Sequence, residues 1–357
     1  MQLTKVQLQN FRNYNKAEVN LSSDLVLILG ENASGKTNFL ESIYYLSTLY
    51  SFRAPDSSLT NLQADFFSIK GANQAHEYEV VVEKSPKTRR GLKIDAVKVK
   101  KPAWSSFQTV LFEPSDLNLF TLGPSMRRRY LNQAISQKDK IYAADMASLE
   151  HVLKQKTALL KEIAENRAKS SQLMFWNEQL EQISSRIKEA RAFFLDFLQA
   201  RFEEVYKNLT GFGSSFAVEY KTQPVTLESL KVHIEAEVWA GICLIGPHRD
   251  DFLVKKDSGP NIYNSSRGEL RSQVLAMKLL QAEYLSDKEK PGTSEAVPGR
   301  PVILLDDVFS ELDETRRAKL IENLSGNQIF ITSTEEHHLP KLKSDAQILK
   351  VENNQIK

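Results

Sequence analysis

The first hundred residues show the alternation of apolar and polar positions that is typical of β-strands. Residues Leu3 to Val19 and Leu25 to Leu29 are predicted to form strands, and the second is a continuous aliphatic run of the kind buried inside a sheet. A helical pattern from Lys36 to Tyr45 follows it. His76 to Glu83 and Leu92 to Lys100 flank a turn and predict a β-hairpin.

The middle of the chain, from about Asp116 to Gly211, changes to long helical segments. An apolar seam recurs there at alternating steps of four and three residues, which predicts a helix of about six turns or more. A second apolar stripe lies upstream, and an antiparallel helical hairpin is the simplest way for the two to cover each other. The seam is Trp176, Leu180, Ile183, Ile187, Ala190, Phe194 and Phe197, and the stripe is Leu149, Val152, Leu153, Leu159, Leu160 and Ile163.

The pattern returns to short strands and helices after Val238. Pro301 to Leu305 and Gln328 to Ile331 are expected to be buried parallel strands, and Ser286 to Arg300 an exposed loop. The chain therefore returns to its first domain after the helical insert. We expect an α/β fold with residues 1–115 and 241–357 as two lobes of one domain and residues 116–240 as the helical insert.

The loop after the second predicted strand matches the phosphate-binding pattern G-x-x-x-x-G-K-[ST] in full. Its glycines allow the backbone to wrap a phosphate, and the backbone N–H groups and the helix amino terminus supply partial positive charge. Lys36 is expected to neutralise the β- and γ-phosphates and Thr37 to offer a hydroxyl to Mg²⁺. We therefore expect ATP and Mg²⁺ as cofactors. The loop consists of Gly30, Glu31, Asn32, Ala33, Ser34, Gly35, Lys36 and Thr37.

A second motif ends the strand Pro301 to Leu305 with two acids, Asp306 and Asp307. This is the Walker B arrangement, in which the first carboxylate orients Mg²⁺. Asp307 would then be the catalytic carboxylate that orients the attacking water or accepts its proton, together with Lys36 as a catalytic cation. Two helix-capping aspartates would be the better interpretation if no phosphate-binding loop were present.

The class of ATPase is indicated by two further motifs. Ser266, Gly268 and the residues that follow open a helix and resemble the ABC signature, whose serine and glycine backbone meet the γ-phosphate of a nucleotide held by another subunit. Residues 310–313, directly after the Walker B acids, resemble the D-loop of that superfamily. The order of the four motifs is that of ABC ATPases.

The charge is concentrated in one segment. The formal net charge is only +2, but Lys84 to Lys101 contains eight basic residues and one acid, Asp95. Phosphate backbones attract such patches, so the segment is a candidate for DNA binding, although a solvated hairpin face is the alternative. The candidate DNA contacts are Lys87, Arg89, Arg90, Lys93, Lys98, Lys100, Lys101, Arg127 and Arg128.

Composition excludes several other classes. The one cysteine, Cys243, cannot form an intrachain disulfide, which fits a reducing compartment. No apolar run approaches the length needed to span a bilayer, and the amino terminus lacks the apolar region of a signal peptide. We expect a cytoplasmic, nucleoid-associated protein without a membrane partner.

Five motifs together resemble the RecF family of recombination and repair proteins. The resemblance implies a head related to SMC-type ATPases with an inserted helical arm, ATP-dependent head-to-head dimerisation on DNA and slow, DNA-stimulated ATP hydrolysis. It also implies a part in the SOS response and cooperation with RecR and RecO in loading recombinase at single-strand gaps and duplex junctions. The motifs are residues 10–14, 112–117, 126–131, 246–252 and 304–313.

Some features leave alternatives open. An ABC-type transporter subunit and a short SMC-like DNA tether are the other classes considered. Asp307 stands where many ABC proteins have glutamate, and His337 and His338 lie too far along to be assigned as a switch histidine. Arg12 is a candidate nucleotide contact and Arg53 another, but an exposed salt bridge explains either position equally well.

Overall fold

The computed structural model describes residues 2–84, 88–101, 104, 106–256, 266–287, 299–334 and 346–357. The chain forms two compact units, one of residues 1–116 with 278–357 and one of residues 117–277. Residues 241–277, which motif order assigns to the second ATPase lobe, thus lie in the helical unit. The assignment of lobes stays a prediction, because it rests on motifs and not on packing.

The first unit contains a six-stranded sheet in which five neighbouring strands run parallel. The sheet order is β14-β13-β3-β12-β11-β8, so β3 lies between strands from the carboxyl end of the chain. The carboxyl ends of parallel strands meet at one edge, which is where ligands bind in such sheets. The strands are β3 (Leu25–Leu29), β8 (Thr109–Phe112), β11 (Val302–Leu305), β12 (Ile329–Ser333), β13 (Gln347–Glu352) and β14 (Gln355–Ile356).

A second, antiparallel sheet of six strands belongs to the same unit, in the order β2-β1-β4-β5-β6-β7. Side chains from both sheets and from α1 (Lys36–Thr48) form one hydrophobic core. α9 (Glu314–Asn323) completes the helices described in this unit, apart from the end of α8. The strands are β1 (Leu3–Phe11), β2 (Tyr14–Asn20), β4 (Phe66–Asn73), β5 (Glu77–Glu83), β6 (Arg89–Ile94) and β7 (Val97–Lys98).

Two predicted strands prove to be pairs of strands. The segment from Leu3 to Val19 is interrupted at Arg12, whose φ is 53°, and its halves pair as β1 and β2. The predicted basic hairpin is present, because β5 pairs with β6, but its second strand ends at Ile94. Asp95 and Ala96 both have positive φ and form a tight turn into β7, which is why the alternation of residues 92–100 does not form one strand.

The second unit is mainly helical. Its two longest helices pack together as the predicted hairpin, and the seam residues Leu180, Ile187 and Phe194 are fully buried. The antiparallel pair β9 and β10 packs beside the carboxyl half of α5 through β9. The elements are α2 (Asn118–Thr121), α3 (Pro124–Lys138), α4 (Lys140–Ala164), α5 (Leu173–Thr210), β9 (Phe216–Lys221), α6 (Leu227–Val232), α7 (Ile234–Ala240), β10 (Asp251–Lys256) and α8 (Arg267–Ser286).

A buried ion pair joins α7 to α4. Lys156 Nζ lies 2.7 Å from Glu237 Oε2, and both side chains are completely shielded from solvent. The second oxygen of Glu237 accepts a hydrogen bond from the Leu244 backbone N–H at 2.8 Å. The pair therefore also fixes the segment after α7. Within the described residues, no helix combines the length and the apolar character needed to cross a lipid bilayer.

Candidate nucleotide site

The phosphate-binding loop connects β3 to α1 at the carboxyl edge of the parallel sheet. Gly35 has φ +119°, and a Cβ there would lie 2.7 Å from Asn13 Nδ2 and 2.9 Å from the Tyr14 hydroxyl. A Cβ on Gly30 would lie 2.4 Å from the backbone oxygen of Val351. Gly35 is thus required by its backbone conformation and by close packing, and Gly30 by close packing alone.

The side chain of Lys36 folds back onto the phosphate-binding loop. Its Nζ donates to the backbone oxygens of Gly30 and Glu31, each at 2.9 Å. Burial lowers the pKa of Lys36, and the nearby charges of Asp307 and Asp306 oppose this effect. The ammonium group is therefore held at the mouth of the loop by acceptors that an anionic ligand would replace.

The two nucleotide motifs meet through one hydrogen bond. Thr37 Oγ1 donates to Asp306 Oδ1 at 2.9 Å, although the residues are 269 positions apart. The Thr332 hydroxyl donates to the same oxygen at 2.9 Å, and it accepts from the Asp307 backbone N–H at 3.0 Å. Burial raises the pKa of Asp306, while the hydrogen bonds from Thr332 and Thr37 lower it. The sequence does not single out Thr332 because its contacts arise only when β12 lies beside β11.

The loop between β1 and β2 covers the phosphate-binding loop. The Tyr14 hydroxyl donates to the Gly35 oxygen at 3.0 Å, and Asn13 Nδ2 donates to the Ser34 oxygen at 3.2 Å. Asn13 also donates to Asn354 Oδ1 in the turn between β13 and β14. Residues 10–14 are one of the motifs that resemble RecF, but the contact of Asn13 with Asn354 has no signal in the sequence.

Arg12, a predicted nucleotide contact, binds Glu41 of α1 instead of projecting freely. Its Nη2 lies 2.8 Å from Glu41 Oε1, and Arg53 Nη2 lies 2.6 Å from Glu41 Oε2. Glu41 is fully buried, so the arginines do not form the exposed salt bridges that were the alternative. The sequence does not identify Glu41 as a site residue. Its partners Arg12 and Arg53 are distant in sequence, and no local pattern around Glu41 indicates them.

The signature residues begin α8 as a capping box. Ser266 Oγ accepts from the Glu269 backbone N–H at 3.3 Å, and the Ser266 backbone N–H donates to Glu269 Oε2 at 2.9 Å. The hydrogen bond from the Ser266 backbone, with that from Lys256, holds the pKa of Glu269 below its usual value. The serine and glutamate of this motif thus have a structural use, and Gly268 lies in the first turn of the helix.

The segment that resembles a D-loop follows β11 as a short 3₁₀ turn, Val308–Glu311. Asp313 ends it by capping α9, with its carboxylate accepting from the Arg316 backbone N–H at 2.8 Å. His337 and His338, which the sequence does not assign as a switch histidine, lie outside the described residues.

The basic residues of the hairpin differ in how far their charge is compensated. Arg90 pairs with Asp56 at 2.6 Å, and Lys93 pairs with Glu79 at 2.6 Å. In the described part of the chain, four exposed basic side chains at the edge formed by β6, β7 and the segment after them have no acidic partner. They are Arg89, Lys98, Lys100 and Lys101, which we call the basic edge. Lys87 lies outside the described residues.

One predicted DNA contact is corrected. Arg127 is only 3% exposed, and its guanidinium pairs with Asp251 at 2.7 Å and donates to the backbone oxygens of Leu119 and Leu122. A buried guanidinium with these acceptors cannot reach a phosphate backbone. Arg128 is partly exposed and donates to the Asp250 backbone oxygen at 2.9 Å, so only part of its donor capacity is used.

Residues 246–252, another motif of the family resemblance, are anchored to the long helix α5. Arg191 is buried there and donates to the Pro247 oxygen at 2.7 Å and to Asp250 Oδ2 at 2.9 Å. The Tyr220 hydroxyl donates to the same Asp250 oxygen at 2.6 Å. The conformation of this motif therefore depends on side chains that are 30 to 59 positions away in sequence.

The residues at the sheet edge fit a magnesium–nucleoside triphosphate complex. Thr37 and Asp306 supply the hydroxyl and carboxylate oxygens that Mg²⁺ prefers, and they are already hydrogen bonded to each other. The Ser34 hydroxyl is buried and, among the described residues, has no hydrogen-bond partner, as is expected of a group that faces a ligand. The order of strands and the meeting of the two motifs define a P-loop ATPase.

Comparison with known proteins specifies the family. The profile described as RecF/RecN/SMC N terminal domain matches residues 2–357, and the chain belongs to this family of ATPases. It is 36% identical to the DNA replication and repair protein RecF of Moorella thermoacetica, over 95% of this chain and 92% of the relative. It is 31% identical to the protein of the same name from Streptococcus suis, over 100% and 99% of the two chains.

Solved structures agree with this result. The chain is similar to the recombination mediator protein RecF bound to ATPrS in the RecFOR pathway, with a TM-score of 0.86, 28% identity and coverage of 100% and 97% of the two chains. It is also similar to the Smc head domain with an extended coiled coil from Pyrococcus furiosus, with a TM-score of 0.55, 15% identity and coverage of 99% and 95%. The second likeness concerns the fold alone.

Proposed function

We propose that the chain is an ATP-dependent DNA-binding protein of recombinational repair and replication. The hydrogen bond of 2.9 Å between Thr37 and Asp306 carries the proposal, because it joins the two halves of a nucleotide site at the edge of the parallel sheet. The names of the full-length relatives, DNA replication and repair protein RecF, supply the biological process. Partners equivalent to RecR and RecO follow from the pathway named for the similar structure.

The roles of the site residues follow from their positions. The backbone N–H groups of residues 30–37 and the ammonium group of Lys36 bind the phosphates, and Thr37 and Asp306 hold Mg²⁺, which supplies charge neutralisation when bound. Asp307 orients the attacking water. Its carboxylate is shorter than the glutamate that many ABC proteins have, which favours slow hydrolysis and the use of ATP as a switch.

Dimerisation supplies the remaining contacts to the nucleotide. The backbone and hydroxyl of Ser266 and the backbone of Gly268 from a second copy would meet the γ-phosphate, so that two heads enclose two nucleotides. The helices α4 and α5 contain 25 and 38 residues, which is far shorter than the arms of an SMC tether. We therefore propose a compact clamp that closes on DNA in the ATP state.

The basic edge is the proposed DNA surface. Arg89, Lys98, Lys100 and Lys101 are exposed, and their charge is not compensated by acids in the described residues, unlike that of Arg90 and Lys93. Exposed Lys and Arg side chains of this kind bind the phosphates of DNA, and the resulting affinity falls steeply as the salt concentration rises.

The test is duplex DNA binding measured by fluorescence anisotropy with and without ATP·Mg²⁺. The Lys36→Ala protein is expected to lose ATP-dependent DNA binding while its fold stays intact. Replacement of Lys98, Lys100 and Lys101 by alanine is expected to leave ATP binding intact and to reduce the salt dependence of DNA affinity by a slope of about 2 to 3. Binding that does not respond to ATP in the parent protein would contradict the proposal.

A further inference from the structure

A fully buried carboxylate lies behind the phosphate-binding loop. Glu41 follows Thr37 by one turn of α1, and its side chain is 0% exposed. An ionised group in such a place must be paired, since its desolvation is otherwise very costly. The partners of Glu41 are therefore the side chains that α1 holds in position beside the phosphate-binding loop.

Both oxygens of Glu41 are used. Arg12 donates to them through Nε at 2.9 Å and Nη2 at 2.8 Å, Arg53 Nη2 donates at 2.6 Å, and the Ser51 hydroxyl also donates. Burial alone would raise the pKa of Glu41, but these hydrogen bonds outweigh burial and hold the pKa below its usual value. One negative charge thus organises two guanidinium groups, and the cluster has an excess of one positive charge.

Arg53 is the partner that also contacts the first turn of α1. Its Nη2 also donates to Asn38 Oδ1 at 2.5 Å, directly after Thr37 in the first turn of α1. The side chain is 35% exposed, and the described side-chain hydrogen bonds of its guanidinium use Nη2 alone. Burial raises the pKa of Asp306, and the charge of Arg53 is one of the smaller effects that oppose this rise. The outer edge of the guanidinium is therefore available to an anion at the loop.

A ring of hydrogen bonds fixes this arrangement relative to the loop. Asn38 Nδ2 donates to Asn13 Oδ1 at 2.7 Å, and Asn13 in turn donates to the Ser34 oxygen. Hydrogen bonds run from Arg12 to Glu41, Arg53, Asn38 and Asn13. Because Asn13 is bonded covalently to Arg12, they close a ring. Side chains held in this way lose little further entropy when a ligand binds.

We propose that Glu41 is a positioning residue of the nucleotide site. Its carboxylate holds Arg53 over the first turn of α1, where the guanidinium adds a second positive charge to that of Lys36 for the phosphates of a nucleoside triphosphate. This inference rests on the proposed nucleotide binding. If Glu41 only anchored residues 51–53 for stability, nucleotide affinity would not depend on it through Arg53.

The test measures the Kd for ATP·Mg²⁺ by isothermal titration calorimetry. Glu41→Gln keeps the size of the side chain but replaces one acceptor oxygen with an NH₂ group, which cannot accept a hydrogen bond from an arginine. This variant is expected to weaken ATP·Mg²⁺ binding roughly tenfold. Glu79→Gln is the matched control, because Glu79 also bridges two cations, Lys70 at 3.2 Å and Lys93 at 2.6 Å. The control is expected to bind ATP like the parent protein.

A double-mutant cycle separates positioning from stability. Arg53→Ala is expected to weaken binding about as much as Glu41→Gln, and the double variant no more than either, because Glu41 acts through Arg53. Additive effects would overturn the inference, and so would tighter binding by Glu41→Gln, which would mean that the carboxylate competes with phosphate. If Glu41→Gln does not fold, an unchanged Kd for Arg53→Ala overturns it.

The outcomes also separate this inference from the proposed function. A parent protein that does not bind ATP contradicts both. A parent that binds ATP, a Lys36→Ala protein that does not, and a Glu41→Gln protein with the parent's affinity would leave the proposed function intact and remove the role of Glu41.

Discussion

Two adjacent aspartates at the end of β11 differ in their surroundings. Asp306 is 7% exposed and accepts two hydroxyl hydrogen bonds on one oxygen, from Thr37 and Thr332. Asp307 is more exposed and has a left-handed backbone, with φ at 52°. Adjacent residues of the same type can therefore have separate roles, one in holding Mg²⁺ and one in orienting water.

The replacement Asp307→Asn tests this separation. Asparagine has the same size and tolerates positive φ, so the fold is expected to persist. Loss of the proposed catalytic carboxylate is expected to lower the rate of ATP hydrolysis by roughly 10²- to 10⁴-fold. The Kd for ATP·Mg²⁺ is expected to stay within about threefold of the parent value.

Hydrolysis is measured by phosphate release in single-turnover experiments, and binding by calorimetry. Asp139→Asn serves as a control, because Asp139 is an aspartate that caps α4 and lies outside the nucleotide motifs. An Asp307→Asn protein that hydrolyses ATP at the parent rate would contradict the role of Asp307.

The sequence predicts the site residues that lie in contiguous motifs and misses those that reach the site from elsewhere. Lys36, Thr37 and Asp306 belong to patterns whose spacing reflects the chemistry of phosphate binding. Thr332 and Asn354 become neighbours of the site only through the pairing of β12 and β13 with β3. Such contacts depend on strand order, which local patterns do not encode.

Among the elements, α7 is joined to α4 by a buried ionic contact. The pair of Lys156 on α4 and Glu237 on α7 is fully buried, with 2.7 Å between the charged atoms. A buried pair gives little net stability over apolar residues of the same size, but the loss of one partner leaves an uncompensated charge. The pair therefore acts more as a constraint on how α7 packs than as a source of stability.

Replacement of one partner and then of both distinguishes these effects. Lys156→Met is expected to lower the free energy of unfolding of the helical unit by about 3 to 5 kcal/mol. The double variant Lys156→Met with Glu237→Leu is expected to recover most of this loss. The measurement is urea denaturation followed by circular dichroism. A single variant within about 1 kcal/mol of the parent would show that the charge is solvated.

In the whole molecule, a helical unit is inserted into an α/β unit, and the alternation of patterns predicts this order. The carboxyl boundary of the insert lies at residue 277 by packing, whereas the sequence predicts it at residue 240. Residues 241–277 carry motifs of the ATPase but pack in the helical unit, where Arg191 binds Asp250 and Tyr130 OH donates to the Met277 oxygen at 2.7 Å. Motif order describes the chemistry of a segment, whereas its packing depends on buried partners that hydrophobic periodicity does not reveal.

Assembly of two copies is testable by light scattering with and without ATP·Mg²⁺. The parent protein is expected to change from a monomer to a dimer with ATP, because the proposed clamp places the Ser266 segment of each copy at the nucleotide site of the other. Ser266→Arg is expected to prevent the change by placing a bulky side chain at the proposed contact. Asp139→Ala is the control for the loss of a helix cap alone, which costs about 1 kcal/mol, because Asp139 caps α4 and has no role in the proposed contact. A monomer under all conditions would contradict the clamp.

The place of β3 between strands from the carboxyl end of the chain determines when the parallel sheet can form during synthesis. β3 ends at residue 29, but its neighbours β12 and β13 end at residues 333 and 352. At about 5 to 20 residues per second, β3 waits on the order of 15 to 60 s on the ribosome for those neighbours. The helical unit is complete earlier, at residue 277. The helical unit can therefore fold on the nascent chain before the strands that complete the nucleotide site have been made.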